Sequence, residues 1–403
     1  MTKECGQKSL DSTLRPAAYQ LVPLLKIMST GLGAVLVFDG VGVGKTISSG
    51  YIMSYLSQLR KRPAMVVCPP GLIDKWYIEL SSKFGLRVAT LKHSEHLEVA
   101  ASELSSHQSW KHPSAYILSA SLLQKPIQEL KDLAVVVYDE IHNYRNRETR
   151  SHENASALSG FCKYRVGLSA TPINNSLEDL TSEIHVLMAD HSWDSINSVV
   201  QDMWRSDKGI LTKPLVTRFT KERLGIHFAK RIVKDCRTAF SEWYYNWVRE
   251  VISQRNRART DSGFLLENIT LYRLASSCPR AFSRALGVPM PRPEPTEKLD
   301  TFLSRLRELD STHIIIFCEF RETTAYLAEN LSEISVFVIT GDTPLFERSS
   351  TIKAFRDSDH AVLILTSVGS EGLDLQFADT VVNSVLHWNP MRLEQRIGRI
   401  LIH

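Results

Sequence analysis

Residues Asp39–Thr46 read DGVGVGKT, directly after the apolar run Ala34–Phe38 and directly before the helix-compatible stretch Ile47–Gln58. This order requires a buried strand to deliver the chain into a glycine-rich turn, and a helix to leave it. The glycines, Gly42 and Gly44 among them, let backbone N–H groups close around a polyphosphate. The helix N-terminus favours negative charge. Lys45 is then placed to reach the β- and γ-phosphates, and the Thr46 hydroxyl to hold Mg²⁺. The loop therefore predicts a nucleoside triphosphate site.

Such a loop needs a parallel sheet behind it, and the following sequence supplies one. Short apolar runs at Ala64–Cys68, Tyr116–Ser119, Ala134–Tyr138 and Tyr164–Leu168 alternate with helix-compatible stretches up to about Leu187. The runs are mostly apolar and do not alternate with polar residues, as in strands covered on both faces. From Trp193 to about Leu286 the rhythm stops, and SEWYYNWVREVISQRNR reads as helix. PMPRPEP at Pro289–Pro295 is a stiff linker by composition. The alternation resumes at Ile314–Phe317, Val336–Ile339, Val362–Leu365 and Thr380–Val382. The expected organisation is a first α/β domain over 1–190, a helical insertion over 191–288, and a second, shorter α/β domain over 289–403.

Two further strand ends carry chemistry. VVVYDEIH at Val135–His142 ends a strand in two acids. At a strand's C-terminal edge beside the loop, Asp139 would hold Mg²⁺ and Glu140 would orient or deprotonate the attacking water. His142 would couple this site to later elements. GLSATPINNSLEDL at Gly167–Leu180 places the short hydroxyls of Ser169 and Thr171 after another strand, where they would relay the state of the γ-phosphate. The plain reading of that stretch is a capped helix start, with Asn175 and Glu178 as the capping pair, and the two readings are compatible.

Composition sets wider bounds. The chain has 403 residues and a formal net charge of +4, which permits nucleic-acid binding without demanding it. Six cysteines, none in a CxxC pair, suit a reduced compartment. No apolar run approaches the length of a membrane span, and the first ten residues lack an apolar signal segment. The expectation is a cytoplasmic protein, nucleoid-associated in a bacterium or nuclear in a eukaryote, with no membrane partner. His93 and His96 form a lone HxxH without a third ligand nearby, and read as a solvated polar stretch.

With these motifs on the page, the chain from Leu14 to Arg399 resembles the Swi/Snf-type DNA translocases, a branch of the superfamily-two helicase-like ATPases. LRPAAYQ is similar to the family's LRPYQ opening, which implies that Gln20 reads adenine. MVVCPPGLIDKWYIELSSKF resembles the next family motif, with Pro69, Leu72, Trp76 and Glu79 in register. DEIHNYRN resembles DEAHRIKN, and SATPINNSLEDL resembles TGTPIQNSLEEL. The WxxE at Trp76–Glu79, PLVTRFTKERLG at Pro214–Gly225, and aspartate at Asp39 favour this branch over general helicases. In the second half, IIIFCEFRETTAYLAENL, FVITGDTPLFERSSTIKAF, VLILTSVGSEGLDLQFADTVVN and WNPMRLEQRIGR resemble the family's later motifs.

The resemblance implies an α/β fold of two RecA-like parallel-sheet lobes with a helical insertion between them. It implies ATP and Mg²⁺ as cofactors and double-stranded DNA as the partner of a monomer or of a subunit in a larger protein complex. Pro69, Gly341 and Thr366 would touch nucleic acid. His142, Ser169, Thr171, Gly372, Asp374 and Gln395 would couple the nucleotide to it. Arg396 and Arg399 would reach the γ-phosphate across the cleft. The chain departs from the pattern at Ile402, where the family has a further arginine, and at Val385, where it usually has aspartate. The chain stops at His403, short of the family's C-terminal helices, as a truncated chain or a fragment would. Three activities fit: a DNA translocase, a nucleotide-dependent DNA-binding subunit with little turnover, and a strand-separating helicase.

Overall fold

The computed structural model describes residues 15–403 apart from 41, 106–112, 126, 128–129, 170–175, 206–214, 221–222, 226–231, 258–263, 295, 332–333, 367–372, 374, 388–389, 399 and 401–403. The chain divides into two compact units, Met1–His227 and Phe228–His403.

The first unit is built from α1 (Ala18–Ser29), β1 (Ala34–Val37), α2 (Lys45–Arg60), β2 (Ala64–Cys68), α3 (Ile73–Phe84), β3 (Val88–Leu91), α4 (Ser94–Ser105), β4 (Ala115–Ser119), β5 (Val135–Tyr138), α5 (Arg150–Gly160), β6 (Tyr164–Leu168), α6 (Leu177–Leu187), α7 (Trp193–Arg205) and β7 (Val216–Thr217). The strands form one sheet in the order β3-β4-β2-β5-β6-β1-β7, and every pairing is parallel. Successive side chains of a strand point to opposite faces, and here both faces are covered. Ala34, Leu36, Met65, Val67, Val136 and Tyr138 enter one buried cluster. Their neighbours Val35, Val37, Val66, Cys68, Val135 and Val137 enter the other. That is why the sequence shows apolar runs rather than alternation.

Two strands escape the sequence pattern. Three of the four residues of β3 are partly exposed on the sheet's edge, so β3 lacks an apolar run. β7, at the opposite edge, is two residues long. The cap of α6 also differs from the expected one: the Ser176 side chain accepts from Asp179 N–H at 3.3 Å. Thr171 and Asn175 lie outside the described residues.

The second unit contains α8 (Glu242–Arg257), α9 (Phe264–Ser277), α10 (Pro279–Leu286), α11 (Glu297–Arg307), β8 (His313–Cys318), α12 (Arg321–Asn330), β9 (Ser335–Ile339), α13 (Leu345–Arg356), β10 (Ala361–Thr366), β11 (Thr380–Asn383) and α14 (Pro390–Ile397). Its sheet, ordered β11-β8-β10-β9, is again all parallel. Tyr244, Val248 and Ile252 of α8 share a buried cluster with Phe282 of α10 and with Ile314 and Ile316 of β8. The aromatic side of α8 is therefore core. Its exposed face mixes Glu242, Tyr245, Asn246, Arg249 and Glu250, so it carries no continuous basic stripe.

Among the described residues, no helix is long and apolar enough to cross a membrane. Nor are three His, Cys, Asp or Glu side chains grouped to hold a metal ion. The His93 and His96 rings meet edge to face, 5.3 Å apart.

Candidate functional site

In a parallel sheet, ligands gather where the strands end at their C-terminal edge. Four neighbouring strands of the first unit, β2, β5, β6 and β1, bring Pro69, Asp139, Ser169 and the Asp39–Thr46 loop to that edge. The motifs, scattered over more than a hundred residues of sequence, thus meet in one row.

The loop is shaped by its glycines and braced by α1. Gly42 and Gly44 have φ of 79° and 97°, a left-handed region that side chains resist. A Cβ on Gly44 would also lie 2.6 Å from Gln20 Nε2. Gln20 turns its Oε1 to the Ala17 N–H at 3.0 Å, which leaves its amide nitrogen against the loop. The Tyr19 hydroxyl donates to the Val43 carbonyl at 2.9 Å. Lys45, in the first turn of α2, donates to the Asp39 and Gly40 carbonyls at 2.8 and 3.3 Å. Burial pulls its ammonium below the usual lysine range, opposed by the charges of Glu140, Asp39 and Asp139. Thr46 follows in the same turn.

The acids sit at a strained turn. Glu140 has a φ of 52°, unusual for a residue with a side chain, and strain of this kind concentrates at functional sites. It starts a short 3-10 helix, Ile141–Tyr144. The turn fits against the sheet because Gly167 lacks a Cβ, which would come within 2.6 Å of Ile141 Cδ1. The Asp139 carboxyl is packed round with protein atoms although the residue keeps some solvent contact. Its removal from water and the neighbouring Glu140 push its pKa up to about 6, against the pull of Trp76 and Lys45. Trp76 donates its indole Nε1–H to Asp139 Oδ2 at 2.8 Å. The sequence placed Trp76 in a family motif without a role. Its bond to Asp139 spans 63 residues, and no local pattern announces it.

Of the expected coupling residues, His142 and Ser169 meet. His142 Nδ1 lies 3.3 Å from Glu140 Oε2 and 3.5 Å from Ser169 Oγ. A residue passed over in the sequence stands behind them. Glu183 of α6 is 1% exposed, and burial holds its carboxyl well above the usual range, reinforced by Asp179 and Glu140. Arg145, just after the 3-10 turn, approaches Asp179 at 3.9 Å.

The second unit presents its candidates differently. Gly341 follows β9, and its carbonyl accepts from Arg348 at 3.2 Å. Thr366 ends β10, buried. Gln395 is partly buried in α14. Arg396 is 5% exposed. It donates to Asn383 Oδ1 at 2.8 Å and lies over the Phe317 ring, 5.1 Å from its centre. Gly372, Asp374 and Arg399 lie outside the described residues.

The donors beside the phosphate loop are the Thr46 hydroxyl and the Asp139 carboxylate, hard oxygens of the kind Mg²⁺ takes when phosphates complete its shell. The residues present fit that ion and a polyphosphate.

Residues 24–257 match the SNF2-related domain family, and residues 296–401 match the helicase conserved C-terminal domain family. An uncharacterised ATP-dependent helicase of Bacillus subtilis (YqhH) is 25% identical over 96% of this chain and 72% of its own length. A probable ATP-dependent DNA helicase of Arabidopsis thaliana (CHR12) is 24% identical over 95% of this chain. The chain spans only 38% of that second relative. Among solved structures, the Hef helicase domain of Pyrococcus furiosus superposes with a TM-score of 0.54 at 15% identity, covering 95% of this chain and 92% of that one. Its likeness is in fold: two parallel-sheet α/β lobes of the RecA-like kind.

Proposed function

The chain belongs to the SNF2-related ATPases of helicase superfamily two, and from that premise we propose that it is an ATP-driven translocase on double-stranded DNA. One observation carries the chemical half of this reading. Lys45, where the turn from β1 enters α2, and Asp139 and Glu140, directly after β5, lie at the C-terminal edge of one parallel sheet in which β5, β6 and β1 are neighbours. A phosphate-binding cation, a metal-binding acid and a candidate base therefore share one strand edge.

In the proposed mechanism, Lys45 turns from the Asp39 and Gly40 carbonyls to the β- and γ-phosphates. Gln20, braced against the loop, contacts the base. Thr46 and Asp139 would hold Mg²⁺, whose charge would offset that of the phosphates. Trp76 fixes the orientation of the Asp139 carboxylate. Glu140 accepts a proton from the attacking water as its oxygen bonds to the γ-phosphorus and the bond to ADP breaks. His142 reports the position of Glu140 to Ser169. By the family resemblance, Pro69, Gly341 and Thr366 would contact DNA, and Arg396 and Arg399 would supply positive charge to the γ-phosphate.

The duplex half rests on the branch-specific motifs, Trp76–Glu79 and Pro214–Gly225. The test is ATP hydrolysis by the full chain with duplex DNA, single-stranded DNA or RNA. Stimulation by duplex DNA is expected; stimulation by RNA but not duplex would replace the reading with an RNA-directed helicase. A nucleotide-dependent binding subunit is the second reading, and the commitment of Arg396 to Phe317 and Asn383 favours it. Rapid turnover would remove it.

A further inference from the structure

Asp39 is buried, 1% exposed, and its carboxylate does not face the bulk solvent that usually justifies a loop aspartate. One oxygen accepts the Phe219 N–H at 2.8 Å; the other has no hydrogen-bond partner among the described residues. Phe219 lies just past β7, beyond the last ladder pair, Val37 with Thr217. There the side chain of Asp39 continues what the ladder has stopped doing. The Gly40 N–H answers it by donating to the Phe219 carbonyl at 2.9 Å. Tyr19 adds a third grip: its ring lies 5.5 Å from that of Phe219, while its hydroxyl holds the Val43 carbonyl.

The same dipeptide also receives Lys45. The carbonyls of Asp39 and Gly40 accept its ammonium at 2.8 and 3.3 Å. One face of Asp39–Gly40 therefore engages the residue expected to meet phosphate, and the other engages Phe219. The chain passes from the first compact unit to the second at His227–Phe228, shortly after Phe219.

We infer that Asp39 is a positioning residue whose carboxylate ties the phosphate loop to Phe219, so that nucleotide in the loop alters the start of the connection to the second unit. The inference rests on the nucleotide-site reading above. When Lys45 turns toward phosphate, the Asp39 and Gly40 carbonyls lose a charged donor, and the peptide units that hold Phe219 readjust. A glycine at position 39 could still form the loop but would have no side chain to carry the change across.

Hydrogen–deuterium exchange on the full chain tests this, with and without saturating Mg²⁺ and a non-hydrolysable ATP analogue. Binding is measured separately with a fluorescent nucleotide. In the wild type and in Asp39→Asn, which keeps an acceptor oxygen, exchange in residues 216–220 should change by about fivefold or more on saturation. In Asp39→Ala the Phe219 amide should exchange faster from the outset and lose the response. Phe219→Pro, which deletes the N–H from the other side, should lose it too and serves if Asp39→Ala does not fold. An unchanged segment in nucleotide-bound wild type, or a wild-type response in Asp39→Ala, would overturn the inference. Failure of the wild type to bind the fluorescent nucleotide would instead overturn the nucleotide reading, and this inference with it.

Discussion

In the first unit, Lys45 is satisfied by carbonyls of its own loop and stands among acids whose charges it feels. In the second unit, Arg396 is bonded to Asn383 and stacked over Phe317. Both cations lie at the C-terminal side of a parallel sheet, Lys45 partly buried and Arg396 buried, yet they are held in different ways. Lys45 is held by neutral backbone carbonyls, which are weaker acceptors for an ammonium than a charged phosphate would be. An amide oxygen and an aromatic face, both within one fold, hold an arginine as a structural brace, by a charge-assisted hydrogen bond and a cation–π contact. The comparison teaches that the candidate nucleotide residues of the first unit are held by their own loop, while α14 is fastened to its own sheet through Arg396.

The strongest way to break this comparison is to disable the first unit alone. Glu140→Gln should lower turnover by about 10³-fold, within the range expected for a lost general base, while a fluorescent nucleotide still binds. Equal loss of binding would mean that Glu140 shapes the site rather than acts in it. Next in size is Trp76→Phe, which keeps the packing and deletes the donor to Asp139. Removing a hydrogen bond to a charged group is worth about tenfold, and the loss should appear as weaker activity at limiting Mg²⁺, restored by excess. A loss indifferent to Mg²⁺ would detach Trp76 from the metal ligand.

Arg396→Met tests the other side. Deleting the brace should cost about 1–2 kcal/mol, lowering the second unit's melting temperature by about 2–8 °C. If turnover collapses while the melting curve stays put, Arg396 acts at the phosphate and the contrast with Lys45 disappears.

How much of this was legible in the sequence depends on range. Strands such as Ala64–Cys68 and Val135–Tyr138 could be read directly because both sheet faces are buried and each residue is apolar. The phosphate loop and the DEIH strand end were legible because their residues act locally, through one turn. β3 and β7 were not, since one is half exposed and the other too short to form a pattern. The tie of Asp39 to Phe219 crosses 180 residues. No periodicity records such a pairing, and only the sheet order β6-β1-β7 makes it visible. Glu183 was hidden for another reason: in LEDLTSEIHVL it looks like one more polar residue of an exposed helix face, whereas packing buries it.

The smallest expected effect concerns His152. Its Nδ1 lies 2.6 Å from the Tyr144 carbonyl, so that nitrogen carries the proton, and its Nε2 faces His185 Nδ1 at 3.2 Å. Burial lowers the His152 pKa from 6.5. The folded state thus resists a proton that the unfolded chain accepts. The stability this contributes is present above about pH 6.5 and is lost as pH falls through the folded value. Melting curves at pH 7 and pH 5 should therefore differ less in His152→Gln than in the wild type. An unchanged difference would place the acid sensitivity elsewhere and leave the first unit's core out of it.

The central claim, ATP-driven movement along an intact duplex, is tested most directly by displacement of a third strand from a DNA triplex. The full chain with ATP and Mg²⁺ should release the third strand and leave the underlying duplex paired, while Glu140→Gln releases none. Separation of the duplex strands, or no release despite ATP hydrolysis, would contradict the account.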